Sequence, residues 1–283
     1  MEVGDPAGHP VVYCHGTPTS RLDALGLDGA ARRAGVRLIA PDRPGIGLSG
    51  PRPPWRVGDW PADAAALADA LEVERFATLG WSGGGPYALA CAWALRDRVP
   101  RVLVVAGSAP AQAWGPLRAA LRRGPGPRTM SLADRMVEAL ARRALPLARA
   151  ELALAAAAAR LWPALARRVL GHGLPPAERE ALRRAPGFAD LAFFLEAFRG
   201  GALGPALDYR ALGSPWGFRP EDVAAPVELW QGDDDRVVPA AHAQHLAARL
   251  PRARLHRLPG EGHLALLTRA DEVLARARGE LRP

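Results

Sequence analysis

Phe76-Ala77-Thr78-Leu79-Gly80-Trp81-Ser82-Gly83-Gly84 is the stretch on which the fold of this chain turns. An apolar run of strand length, Phe76–Trp81, leads into a serine among glycines, and a helical pattern follows over Gly84–Arg96. Gly80-Trp81-Ser82-Gly83-Gly84 fits G-x-S-x-G, and it stands where that motif must, after a strand and before a helix. A serine on so sharp a turn sits in strained backbone. The residues two before and two after it must be small enough for strand and helix to pack closely. Gly80 and Gly84 meet that demand, and Trp81 precedes the serine. The turn also leaves the N–H of Gly83 at the helix start, aimed where an oxyanion would form. The bland alternative is an ordinary glycine-rich turn, and the strand–turn–helix context favours Ser82 as a nucleophile.

Outward from this point the chain alternates. Val11–His15, Val36–Ala40 and Arg101–Ala106 read as further strands, with helical spacing over Leu22–Ala34 and over Ala62–Leu71, where Pro61 suits a first turn. After a long interval the pattern returns: Val227–Gln231 and Arg254–Leu258 as strands, Ala240–Leu250 and Asp271–Arg278 as helices. Strand–helix repetition at this spacing predicts an α/β protein with a mostly parallel sheet flanked by helices. Between the two stretches, strand-like runs vanish. Segments rich in Ala, Leu and Arg follow one another, punctuated by Pro125–Pro127, Pro146, Pro163, Pro175–Pro176 and Pro186. The expected organisation is a core over 1–110 and 221–283, with an inserted helical cap over 111–220.

Composition excludes more than it assigns. All basic residues are Arg, Lys and Asn are absent, and Ile occurs only at Ile39 and Ile46. Such usage reads as genome composition, so the net charge of +8 is discounted as a sign of function. The 111–220 block carries 17 Arg against 8 acidic residues and so holds the whole excess. It is read first as a solvated helical surface, and second as a source of steering for acidic substrates or an anionic partner. No motif accompanies the charge to suggest a nucleic-acid partner. Cys14 and Cys91 have neither metal-ligand spacing nor a disulfide framework, and read as small buried residues of a cytosolic protein. No signal peptide is visible at Met1–Pro6. The apolar stretch from Glu151 to Leu170 is broken by Arg160, Pro163, Arg167 and Arg168, a helix pair rather than a membrane span.

A serine hydroxyl needs a base, and the base needs an acid to fix its tautomer. His263 lies in Gly260-Glu261-Gly262-His263, a flexible loop just after the last strand, which favours it as the base. His9, His172, His242, His245 and His256 read as surface or packing residues. Gly232-Asp233-Asp234-Asp235-Arg236-Val237-Val238-Pro239 follows the preceding strand, and composition does not separate its three carboxylates. His15-Gly16-Thr17-Pro18 follows the first buried strand. Such a loop can supply a second oxyanion donor, for which Thr17 has an N–H and Pro18 has none. His15 is read as a residue that orders this loop with Gly16.

Together these segments resemble the α/β-hydrolase superfamily, specifically its capped group with an HGxP oxyanion loop, over nearly the whole length. His15–Pro18 resembles the oxyanion loop, and Asp42-Arg43-Pro44-Gly45-Ile46-Gly47-Leu48-Ser49 resembles a D-x-x-G-x-G-x-S loop. Gly80–Gly84 resembles the nucleophile elbow, and Gly260–His263 the G-x-G-H base loop. Gly232–Pro239 resembles G-x-x-D-x-V-x-P, which picks Asp235 over its neighbours. The order Ser82, Asp235, His263 is the one characteristic of the fold. The resemblance implies a Ser82–His263–Asp235 triad, oxyanion donors at Thr17 and Gly83, a small-molecule acyl substrate, and neither metal nor organic cofactor. Haloalkane dehalogenases and epoxide hydrolases share the loop but use an aspartate nucleophile, which counts against both chemistries. Carboxylesterases, carbon–carbon bond hydrolases, proline iminopeptidases and cofactor-free haloperoxidases remain. The rival from another class is a ligand-binding protein or a non-hydrolytic enzyme on the same fold.

The N-terminus departs from the family pattern. An antiparallel hairpin normally precedes the strand of the oxyanion loop, and only Met1–Gly8 is available for it. The first hairpin strand is expected to be missing and the second shortened, leaving the edge beside Val36–Ala40 unpaired. Two explanations compete: a start assigned too far downstream, or a short sheet whose edge is covered by a loop or by a second subunit in a homodimer. The intact remainder of the core favours the second.

Overall fold

β-Branched and aliphatic runs make the strands of this protein, and their burial makes the sheet. The computed structural model describes residues 1–52, 56–113, 132–172, 174–188 and 190–278. The strands are β1 (Glu2–Gly4), β2 (His9–Cys14), β3 (Val36–Ile39), β4 (Ala77–Trp81), β5 (Val102–Val105), β6 (Val227–Gly232) and β7 (Ala253–Leu258). They form one sheet in the order β1-β3-β2-β4-β5-β6-β7, parallel from β3 onward. Every residue of Val102–Val105 is buried, as a strand covered on both faces requires. From β2 the chain crosses to β3 on one side and returns to β4 on the other. The order therefore reverses between β2 and β4, and a crevice opens beyond their carboxyl ends, where ligands bind in open α/β sheets.

Helices cover both faces. On one face α1 (Asp28–Ala34) and Val273 and Leu274 near the C-terminus pack with Leu38 and Leu79. On the other, α2 (Trp60–Ala70) and α3 (Gly85–Ala94) pack with Val12, Ile39 and Val104. Pro61 and Pro86 stand in the first turns of α2 and α3, where a missing N–H costs nothing. The stretch Leu22–Ala34, expected as one helix, is a 3₁₀ segment over Arg21–Leu27 followed by α1. The Ser20 hydroxyl caps its start by accepting from Leu22 N–H.

Between β5 and β6 the described residues form α4 (Leu132–Arg143), α5 (Leu145–Leu161), α6 (Pro163–Leu170), α7 (Pro176–Arg184), α8 (Ala192–Ala197) and α9 (Leu203–Leu212), with no strand among them. Pro163 separates α5 from α6, and no described helix is long and apolar enough to cross a membrane. Pro125 and Pro127 lie outside the described residues. Val137, Ala148, Leu152, Ala156, Phe198 and Tyr209 build a separate apolar cluster here. Leu207, Ala211 and Leu212 of α9 face the sheet side instead. After β6 come α10 (Ala241–Ala247), and after β7 α11 (Ala265–Thr268) and α12 (Ala270–Ala275).

The N-terminus corrects one expectation. β1 lies antiparallel on β3, with Glu2 opposite Ile39 and Gly4 opposite Arg37, and Ala40 N–H donates to Met1 C=O. The edge beside Val36–Ala40 is therefore paired rather than open. Three residues suffice because the register places Val3 over the core and lets Glu2 pair with Arg37 at 2.6 Å. Among the described residues no further strand joins β1.

Candidate active site

The turn after β4 is as tight as its sequence requires. Ser82 takes φ +54°, in the left-handed region, and opens a 3₁₀ turn that continues into α3. A Cβ on Gly80 would lie 2.5 Å from the carbonyl oxygen of Gly84, and one on Gly84 would collide with the carbonyl of Cys14. No side chain fits at either position, so the two glycines allow the serine its place.

His263 stands in the loop between β7 and α11. Its carbonyl accepts the Trp81 indole N–H at 3.0 Å, and the two rings lie 5.5 Å apart. Asp235, in the loop after β6, is wholly buried. Its Oδ1 accepts N–H groups of Val237 and Val238, both at 2.8 Å, while its Oδ2 lies 3.0 Å from His263 Nδ1. The other ring nitrogen, Nε2, lies 3.0 Å from Ser82 Oγ. A neutral imidazole protonated at Nδ1 satisfies both contacts, donating to Asp235 and accepting from Ser82. The structure brings these three residues together and leaves the other two carboxylates of the loop apart: Asp233 pairs with Arg257, and Asp234 is exposed.

The loop after β2 lies against the elbow. A Cβ on Gly83 would come within 2.5 Å of Thr17 Oγ1, so the two residues face each other closely. His15 is buried; its Nδ1 lies 2.8 Å from Gly16 C=O and its Nε2 accepts the Arg43 N–H. Burial and the nearby Arg43 push its pKa well below the ordinary value, so it is neutral. Asp23 accepts from Gly16 N–H at 3.0 Å and from the Thr19 hydroxyl at 2.6 Å. The remaining histidines lie elsewhere: His242 is buried and accepts the Ala109 N–H, and His256 pairs with Glu228.

Two groups absent from the sequence reading complete the surroundings. Arg43 and Asp208 are both fully buried and form a two-point ion pair, Nε to Oδ1 at 2.9 Å and a terminal nitrogen to Oδ2 at 2.6 Å. Arg43 also donates to the carbonyls of His15 and Gly16, and Asp208 accepts from the hydroxyls of Tyr87 and Thr17. Burial works against the guanidinium charge, and Asp208 outweighs it, holding the pKa above the ordinary value. A carboxylate alone in the apolar run Leu203–Leu212 was the available signal, because a buried charge needs a partner.

The second group is Glu178 on α7. Its Oε1 accepts the Gly262 N–H at 2.6 Å, which ties α7 to the loop carrying His263. Burial pushes its carboxyl up from 4.5 to about 7, against the N–H groups of Leu264 and Gly262 that pull it down. The folded state thus holds a proton that the unfolded chain has released, and stability falls as pH rises through this interval. Glu178→Gln removes that loss. Relative to the wild type, the melting temperature of the variant should rise between about pH 5 and about pH 8. A constant difference across this range, read by thermal unfolding, would refute the account.

Ser82, His263, Gly16, Thr17 and Trp81 line one cavity of about 540 Å³, within the usual range for small-molecule sites. Its walls come from α5–α9 and are largely apolar: Leu152, Ala159, Trp162, Leu165, Phe188 and Phe193. A neighbouring cavity of about 610 Å³ is lined by Arg167, Arg168, Arg179 and Arg183. Among the described residues no cluster of His, Cys, Asp or Glu is placed to hold a metal ion.

Comparison with known proteins places the fold. The profile of the alpha/beta hydrolase fold matches residues 9–270. A pimeloyl-[acyl-carrier protein] methyl ester esterase of Aromatoleum aromaticum is 40% identical over 78 residues, 28% of this chain and 31% of that protein. Haloalkane dehalogenase 2 of Mycobacterium bovis is 31% identical over 105 residues, 36% of each chain. The matched segments thus span about a third of these curated relatives. Among solved structures, a thermophilic esterase from Thermogutta terrifontis superposes with a TM-score of 0.66 at 20% identity, covering 98% of this chain and 90% of that one.

Proposed function

The chain belongs to the alpha/beta hydrolase fold family, and within it we propose a serine hydrolase that cleaves a carboxylic ester or related acyl bond. One observation carries the reading: Ser82 Oγ, His263 and the buried Asp235 stand in a continuous relay with both contacts at 3.0 Å. In this reading Ser82 Oγ attacks the carbonyl carbon as its proton passes to His263 Nε2. Asp235 fixes the tautomer and stabilises the imidazolium. The N–H groups of Thr17 and Gly83 hold the charge on the carbonyl oxygen, each donor of this kind contributing about a hundredfold or more to kcat. His263 then protonates the departing alcohol. Water, deprotonated by the same imidazole, releases the acid from Ser82.

His15, Gly16, Gly80, Trp81 and Gly84 act by position, keeping loop and elbow in register. The described residues of 111–220 are read as a cap over the core of 1–110 and 221–283 that supplies most substrate contacts. The esterase named among the relatives supports an ester substrate, and the apolar walls of the cavity support an acyl or alkyl chain of some length. Two free, buried cysteines fit a reducing compartment such as the cytosol. A fluorophosphonate probe should label Ser82, and a short acyl ester should be turned over. A protein that binds such esters without labelling or hydrolysis would be a receptor instead.

A further inference from the structure

The cavity beside Ser82 contains a charge that the proposed reaction does not use. Glu151 is the one carboxylate among the described residues lining it, and no arginine stands with it among them. The side chain projects from the face of α5 that also gives Leu152, Ala155, Ala158, Ala159 and Trp162 to the wall. Its Oε2 is buried and has no hydrogen-bond partner among the described residues. A buried polar atom left in this state destabilises the protein, and in native structures such an atom calls for an explanation in a ligand, a water or a role. Hydroxyl donors stand elsewhere in the wall, on Thr17, Thr19 and Tyr209, and none of them is bonded to this oxygen.

We infer that Glu151 determines substrate specificity here, and that the ester bound in this cavity carries a cationic nitrogen at the end of an apolar chain. The inference rests on the proposed hydrolase reading for its chemistry, but the binding it describes does not depend on turnover. Glu151 lies near the middle of α5 and Trp162 just past its C-terminal end, eleven residues and about 16 Å apart at 1.5 Å per residue. The cavity therefore follows the apolar face of α5 with one carboxylate set in that wall, and it matches a molecule with an alkyl body and a donating head. An ammonium group supplies both the hydrogen bond and the opposite charge, and charge-assisted bonds of this kind are the strong ones. The arginines of the inserted segment do not contradict this, since Arg167, Arg168, Arg179 and Arg183 line the neighbouring cavity and not this one. A carboxylate-bearing ester drawn to those arginines would meet Glu151 inside.

The experiment compares para-nitrophenyl esters of straight-chain acids of graded length, ending in methyl, ammonium or carboxylate. At the best length, kcat/KM for the ammonium ester should exceed that for the methyl ester by about tenfold or more. In Glu151→Gln this ratio should fall to near one, and the carboxylate ester should lose its disadvantage. The same ratio in wild type and variant would overturn the inference, as would a wild-type preference for the methyl or carboxylate ester at every length. Calorimetry with octylammonium and with octanol gives a second readout that needs no hydrolysis. Octylammonium should bind the wild type more tightly, and Glu151→Gln should abolish the difference. If no ester is turned over and Ser82→Ala changes nothing, the hydrolase reading fails, while the calorimetry still decides the role of Glu151.

Discussion

Ser82→Ala and His263→Ala each lower ester turnover by at least about three orders of magnitude, and the double variant is little worse than either. The reason lies in the relay. Without His263 the Ser82 hydroxyl keeps its proton and is a weak nucleophile; without Ser82 there is nothing for the imidazole to activate. Residual activity then comes from the oxyanion donors and the cavity alone. Asp235→Asn should also cost heavily, because an amide in its place can present N–H to His263 Nδ1 and so favour the wrong tautomer. Asp233→Asn and Asp234→Asn should be mild, since one side chain pairs with Arg257 and the other is exposed. Steady-state kinetics on a neutral short-chain ester decide the matter. Heavy loss in Asp234→Asn with a mild effect in Asp235→Asn would show that the relay runs through a different carboxylate.

What could be read from the sequence was what is demanded locally. The elbow was legible because a serine at positive φ between two crowded backbone crossings admits only a few residue types, and Gly80 and Gly84 are among them. The parallel strands were legible as short apolar runs, since burial on both faces removes any alternation. Asp235 was legible only through the family resemblance. What separates it from Asp233 and Asp234 is burial and the N–H groups of Val237 and Val238, which no composition reveals. β1 escaped because three residues are too few to show a period. Glu178 and Asp208 escaped for another reason: each acts on a partner far along the chain, 84 residues away for Gly262 and 165 for Arg43. The neighbourhood of Glu178 showed only helical spacing, and the lone carboxylate in Leu203–Leu212 signalled a partner for Asp208 without saying which.

Asp208→Ala should be the most destabilising single change near the site. It leaves the Arg43 guanidinium wholly buried without its carboxylate, and removes an acceptor from the hydroxyls of Tyr87 and Thr17. Breaking a buried pair from one side costs about 3–5 kcal/mol, most of it the penalty for the orphaned charge. At roughly 2–4 °C per kcal/mol for a large domain, the melting temperature should fall on the order of 10 °C. The same logic predicts strong coupling. In Arg43→Met combined with Asp208→Leu no charge is left behind, so the double variant should be less destabilised than the sum of its parts. It should nonetheless be a poor enzyme, because Arg43 also holds the carbonyls of His15 and Gly16, and with them the loop that carries the Thr17 N–H. Stability and kcat therefore separate: the pair of substitutions restores much of the first and little of the second. Thermal unfolding, with ester turnover measured well below the transition, tests both halves. Additive losses in stability would mean that the ion pair is incidental to the fold, and a double variant with wild-type kcat would mean that the loop needs no such anchor.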